Sequence, residues 1–98
     1  MIYVDTLGIP YNRIKDRSEN LNYTYEELER DVNIGHEIEF KFNGKLYAII
    51  NVPEGFGIGE DKKHFIYFKT PQELLANGMI EGKLLKKIWG EVEFLYRL

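Results

Sequence analysis

His36-Glu37-Ile38-Glu39-Phe40-Lys41-Phe42-Asn43-Gly44-Lys45-Leu46-Tyr47-Ala48-Ile49-Ile50-Asn51-Val52 is the stretch that decides the fold. In its first half apolar and charged residues alternate strictly, so an extended chain puts Ile38, Phe40 and Phe42 on a core and Glu37, Glu39 and Lys41 in water. Asn43-Gly44 is the dipeptide that best accepts the positive φ angles of a type I′ turn. Beyond it, Lys45 to Val52 runs apolar again. The pattern predicts a β-hairpin over about 36–52.

Working outward, Thr24-Tyr25-Glu26-Glu27 is a capping box, and Tyr25, Leu28 and Val32 form one apolar stripe, which predicts a helix over about 25–34 stopped by Asn33 and Gly35. Pro53 cannot donate to a ladder and ends the second strand. Glu54 to Lys63 then reads as a connecting loop, leading to a third strand at His64 to Lys69. Thr70-Pro71-Gln72-Glu73 repeats the helix-start pattern, with a threonine cap and proline in the first turn, and predicts a helix over about 71–77. After Met79-Ile80-Glu81-Gly82, a last helix is expected over about 83–90, with Leu84, Leu85, Ile88 and Trp89 inward and Lys83, Lys86 and Lys87 outward. Glu91 to Leu98 alternates once more and reads as a strand, with Val92, Phe94, Tyr96 and Leu98 set against Glu91, Glu93 and Arg97. At the other end, Met1 to Asp5 and Tyr11 to Lys15 read as short strands around Gly8 and Pro10. The expected architecture is a single small α+β domain over 1–98, an antiparallel sheet built on the central hairpin and covered on one face by three short helices.

The chain has 98 residues, 44% hydrophobic and 14% aromatic, and no cysteine. That length builds one core, not two. Without cysteine there is no disulfide scaffold, thiolate zinc site, iron–sulfur cluster or cysteine nucleophile. The longest apolar run, Leu46 to Ile50, falls far short of the roughly 20 residues of a membrane-spanning helix. The N-terminus has neither the basic nor the long apolar region of a secretory signal, so a cytoplasmic protein away from membranes is expected. Ile, Lys, Asn and Tyr, all with AT-rich codons, total 34 residues against two alanines, which points to an AT-rich bacterial or phage genome. A net charge of −3 disfavours general nucleic-acid binding, which depends on basic excess.

Sites for chemistry are sparse. Gly55-Phe56-Gly57-Ile58-Gly59 is glycine-rich, but a phosphate loop opens a helix, and here a strand is expected to follow. As a mobile loop it would present Phe56 and Ile58 as an apolar docking finger. Gly78 to Lys83 has three residues between its glycines, not four, and Leu84 where a hydroxyl is needed. In a three-strand meander His36 and His64 would start parallel strands about 10 Å apart, two strand spacings, but no metal-binding motif surrounds them. Ser18 has no glycine elbow. No catalytic residue, cofactor or metal site is assigned, and an enzyme is not expected.

Charge placement says more. Glu26, Glu27, Glu29 and Asp31 on the first helix, with Glu37 and Glu39 beyond it, oppose Lys83, Lys86 and Lys87 on the last, so the molecule is expected to be bipolar. Seven tyrosines exceed what one small core needs, and some are expected on a surface, where a rigid ring with a polar tip suits an interface.

From Tyr23 onward, Tyr-Thr-Tyr-Glu-Glu-Leu, His36 to Lys45, Phe68 to Leu75 and Ile80 to Trp89 together resemble small uncharacterised proteins of low-GC Gram-positive bacteria and their prophages. That group has no assigned activity, so the resemblance implies a helix–hairpin–helix layout and no site. Residues 1–22 lie outside it. The functional expectation is a non-enzymatic protein-binding module, encoded by a phage or mobile element and inhibiting a host or defence protein. Its partner-binding residues would be Glu26, Glu27, Glu29, Asp31, Glu37, Glu39, Phe56 and Ile58. The alternatives are a nucleic-acid-binding regulator using Lys83, Lys86 and Lys87, acting as a monomer or homodimer, and a ligand-binding protein built on the 55–59 loop.

Overall fold

The computed structural model describes residues 23–60 and 63–98, so the two strands expected before residue 16 lie outside the described residues. Helix α1 spans Tyr25–Asn33. Four strands follow as a meander: β1 (Ile38–Phe42), β2 (Lys45–Val52), β3 (Gly55–Glu60) and β4 (Ile66–Phe68). Then come α2 (Pro71–Asn77), a two-strand ribbon of β5 (Met79–Ile80) and β6 (Lys83–Leu84), α3 (Leu85–Ile88), a 3-10 turn (Trp89–Glu91) and β7 (Glu93–Arg97). The main sheet is five-stranded, antiparallel throughout, in the order β4-β3-β2-β1-β7. With its three helices it makes a small α+β domain.

Local signals explain the elements that the sequence makes legible. The Glu27 amide donates to the Thr24 hydroxyl at 3.1 Å while the Thr24 amide donates to the Glu27 carboxylate at 2.8 Å, the reciprocal bonds of a capping box. At α2 the Thr70 hydroxyl accepts from the Glu73 amide, and Pro71 opens the helix. Asn43 and Gly44 both take positive φ, 53° and 77°, as the hairpin turn demands.

One layer of core runs between sheet and helices. Leu28, Val32, Leu74, Leu85 and Ile88 from the helices meet Ile38, Phe40, Phe42, Tyr47, Ile49 and Ile58 from the sheet. Trp89 turns its ring edge to Phe40, centroids 5.2 Å apart, and donates its indole N–H to the Tyr23 carbonyl.

Three expectations need correction. Residues 55–59 are not a loop: Val52 pairs with Gly55 across the short Pro53-Glu54 turn, and β3 pairs with β2 along its whole length. Its glycines permit close approach rather than mobility. A Cβ at Gly59 would stand 2.6 Å from the His64 carbonyl, and one at Gly57 would stand 2.9 Å from the Tyr67 ring. Ile58 is therefore core, 2% exposed, and Phe56 packs against that core, so neither forms a docking finger. The extra strand also places β4 three strand positions from β1 and antiparallel to it, which removes the shared edge expected for His36 and His64.

The second correction concerns 79–90. Glu81 and Gly82 take positive φ, 54° and 78°, and fold Met79–Ile80 onto Lys83–Leu84 as a second tight hairpin, leaving α3 one turn long. The Glu81 carboxylate accepts from the Tyr47 hydroxyl at 2.6 Å and the Asn43 side chain at 2.9 Å, fastening the two hairpin turns together. The third concerns the last strand. Glu39 pairs with Tyr96 but Phe40 pairs with Phe94, so Leu95 is a β-bulge, and side-chain alternation reverses beyond it. Arg97 thus faces the helical side and Tyr96 the open side.

Candidate functional site

Bulge and helix together build a buried ionic cluster. Asp31, on the core side of α1, is 1% exposed, and its carboxylate accepts from Arg97 at 3.1 and 3.3 Å and from the Tyr23 hydroxyl at 2.5 Å. Tyr23 stacks on Phe94 with centroids 3.9 Å apart, and the His36 ring bonds to the Leu98 carbonyl. Burial by itself pushes the Asp31 carboxyl up, but the hydrogen bonds from Tyr23 and Arg97, with the Arg97 and His36 charges, outweigh it and hold the carboxyl below its usual range. Burial and the Asp31 bond drive the Tyr23 hydroxyl well above its ordinary value. The cluster ties α1 to the end of β7 with a satisfied charge. Asp31, expected on a partner-binding face, is spent inside the domain.

The remaining acidic residues divide between two faces. Glu26 and Glu29 are exposed on α1, whereas the Glu27 carboxylate serves the Thr24 cap. A groove of about 370 Å³ runs where α1, α2 and the end of the ribbon meet, with Tyr25, Leu75, Ala76 and Leu84 along it and Glu29 and Lys86 among its lining. Lys86 extends over the Tyr25 ring, its Nζ 5.9 Å from the centroid. Lys83 and Lys87 line a neighbouring hollow that shares Leu84. Of the opposed charges expected at two poles, Glu29 and Lys86 therefore share one groove, with Lys83 and Lys87 in the hollow beside it.

Glu37 and Glu39 lie on the other side of the sheet, the face that the helices leave open. There the register sets Tyr96 beside Glu39 and Ala48, and Leu98 beside Glu37 and Ile50. These residues line a hollow of about 200 Å³, below the roughly 300–1,000 Å³ of small-molecule pockets. One Glu37 oxygen accepts the Asn51 amide at 3.0 Å, which fixes that carboxylate at the rim. Across the floor, Tyr67 lies over Gly57 and against Ile50. Tyr67, Tyr96 and Leu98 are 44%, 41% and 70% exposed.

Sequence reasoning missed Ile50, Tyr67 and Leu98 as members of this face. A signal existed: β2 is apolar on both sides, Leu46, Ala48, Ile50 and Val52 as well as Tyr47 and Ile49, the composition of a strand covered on both faces. Among the described residues the helices cover only one.

No family model, curated protein or solved structure matches the chain. Among the described residues, no helix is long and apolar enough to cross a membrane, and no cluster of three or more His, Cys, Asp or Glu gathers where it could hold a metal ion.

Proposed function

We propose that the protein is a non-enzymatic binding module that docks another protein on the open face of its sheet. The observation that carries this is β2, apolar on the side the helices do not reach, with exposed Tyr67, Tyr96 and Leu98 around its floor. Glu37 and Glu39 at the rim of the small hollow suit a partner segment that offers apolar side chains flanked by Lys or Arg. A hollow of this size takes one side chain rather than a substrate, in keeping with a role in recognition. The AT-rich composition supports a cytoplasmic phage or mobile-element product that inhibits a host or defence protein.

Affinity capture from the host should retain one stoichiometric partner, released by salt. Tyr96→Ala should weaken retention at least about tenfold, as loss of an aromatic anchor does, and Leu98→Glu likewise. Glu54→Lys, in the exposed turn between β2 and β3, should leave it unchanged. Capture indifferent to Tyr96 and Leu98 would refute the assignment of this face.

A further inference from the structure

The helical side of the domain carries a second surface with a different logic. Its centre carries Tyr25, Leu75, Ala76 and Leu84 along the groove, beside the Gln72 side chain that donates to the Asn33 side chain at 2.7 Å. On one side of that centre α1 exposes Glu26 and Glu29, and on the other the ribbon and α3 expose Lys83, Lys86 and Lys87. Arg30, which shares the exposed side of α1, is drawn toward Glu27 and Asp31 at 4.0 and 3.9 Å. Acid thus faces base across a strip that is apolar apart from the Asn33–Gln72 pair.

We propose that this surface is the interface of a two-fold homodimer. A two-fold axis laid along the groove sets α1 of one copy over the ribbon and α3 of its partner, and the same contact recurs on the other side of the axis. A patch with opposite charges about an apolar centre is its own complement under that operation, which is the requirement for an isologous interface. A foreign partner would need a matching pair of opposed charges, whereas a second copy supplies it without further assumption. The domain measures 32 × 28 × 24 Å, so its faces are of the scale needed for a standard interface of about 800 Å² per partner. Dimerisation through the helices directs both open sheet faces outward, so the assembly presents two docking surfaces and can gain avidity toward a repetitive or oligomeric target.

The test is a charge swap followed by sedimentation analysis of the full chain. Wild type is expected to be dimeric at low salt and to dissociate as salt rises. The variants E26K/E29K and K83E/K86E/K87E each place like charges against one another, and each alone should dimerise about ten- to a hundredfold more weakly. Mixed in equal amounts they should form a heterodimer, because every contact is then again acid against base. The milder pair Glu29→Lys and Lys86→Glu repeats the test if a multiple variant fails to fold by circular dichroism. A monomeric wild type, a mixture that stays monomeric, or a dimer lost on Tyr96→Ala would each overturn the proposal. Because Tyr96 belongs to the open sheet face, its variant separates failure of the dimer from failure of the docking reading.

Discussion

Phe40→Ala is expected to cost about 3–5 kcal/mol, a large share of the roughly 5–15 kcal/mol that holds a domain folded. Phe40 is fully buried in β1, with its ring against the edge of Trp89 and stacked on Tyr47 at 5.9 Å. Removing it takes away apolar contact on both sides at once, and the flanking strands, each paired along β1, cannot close over the space. Urea unfolding measures the loss. Phe56→Ala, at a half-buried position on β3, should cost markedly less. Equal losses at the two sites would mean that the core is not centred where the fold places it.

The second large effect lies in the ionic cluster, and it is asymmetric. Arg97→Met leaves the buried Asp31 carboxylate with the Tyr23 hydroxyl and the Arg30 guanidinium at 3.9 Å, an expected cost of about 2–3 kcal/mol. That is less than for a fully enclosed pair, because the Arg97 side chain is 50% exposed. Asp31→Asn should cost less than Arg97→Met, since a neutral amide is cheaper to bury and still meets Tyr23. The reverse order would refute the view that Asp31 is a satisfied buried charge.

The same groups set the pH limits of stability. Asp31 titrates lower when folded, so its contribution is present above the unfolded value of about 3.9 and is lost as pH falls through the folded value. The Glu81 carboxyl is also lowered, chiefly by its bond from Tyr47, and adds to that acid loss. Three tyrosines, Tyr23, Tyr25 and Tyr47, work in the opposite direction. Tyr23 is raised when folded, and Tyr47 is pushed up to about 12 by burial and by Glu81, so their contributions are present below about pH 10 and lost as pH rises through the folded values. Thermal unfolding should therefore fall off below about pH 4 and above about pH 10, with a level stretch between them. Asp31→Asn should flatten the acid limb down to the Glu81 share, and Tyr23→Phe with Tyr47→Phe should flatten the alkaline one down to the share of Tyr25, whose hydroxyl burial also raises.

The parts of the fold that could be read beforehand are those with local causes. Thr24 with Glu27, Thr70 with Pro71, and Asn43-Gly44 each act within a few residues, and the elements they delimit lie where the pattern puts them. What could not be read has causes distant in sequence. The glycines of β3 look like a loop until β4 is known to press upon them, with Tyr67 over Gly57 and the His64 carbonyl over Gly59. The bulge at Leu95 leaves no mark in the alternation, yet it exchanges Arg97 and Tyr96 between the two sides of the sheet. That one residue decides that Asp31 acquires a buried partner, and that a tyrosine joins the open face. The acidic surface was legible as composition but not as geography, because neighbours in sequence such as Asp31 and Glu37 end on different layers.

Site-specific photo-crosslinking tests the central claim most directly. A benzoyl-phenylalanine in place of Tyr96 should give, in host extract, an adduct with one protein other than this chain, whereas the same probe in place of Glu26 should join only a second copy. The claim fails if position 96 gives no foreign adduct while position 26 captures a foreign protein.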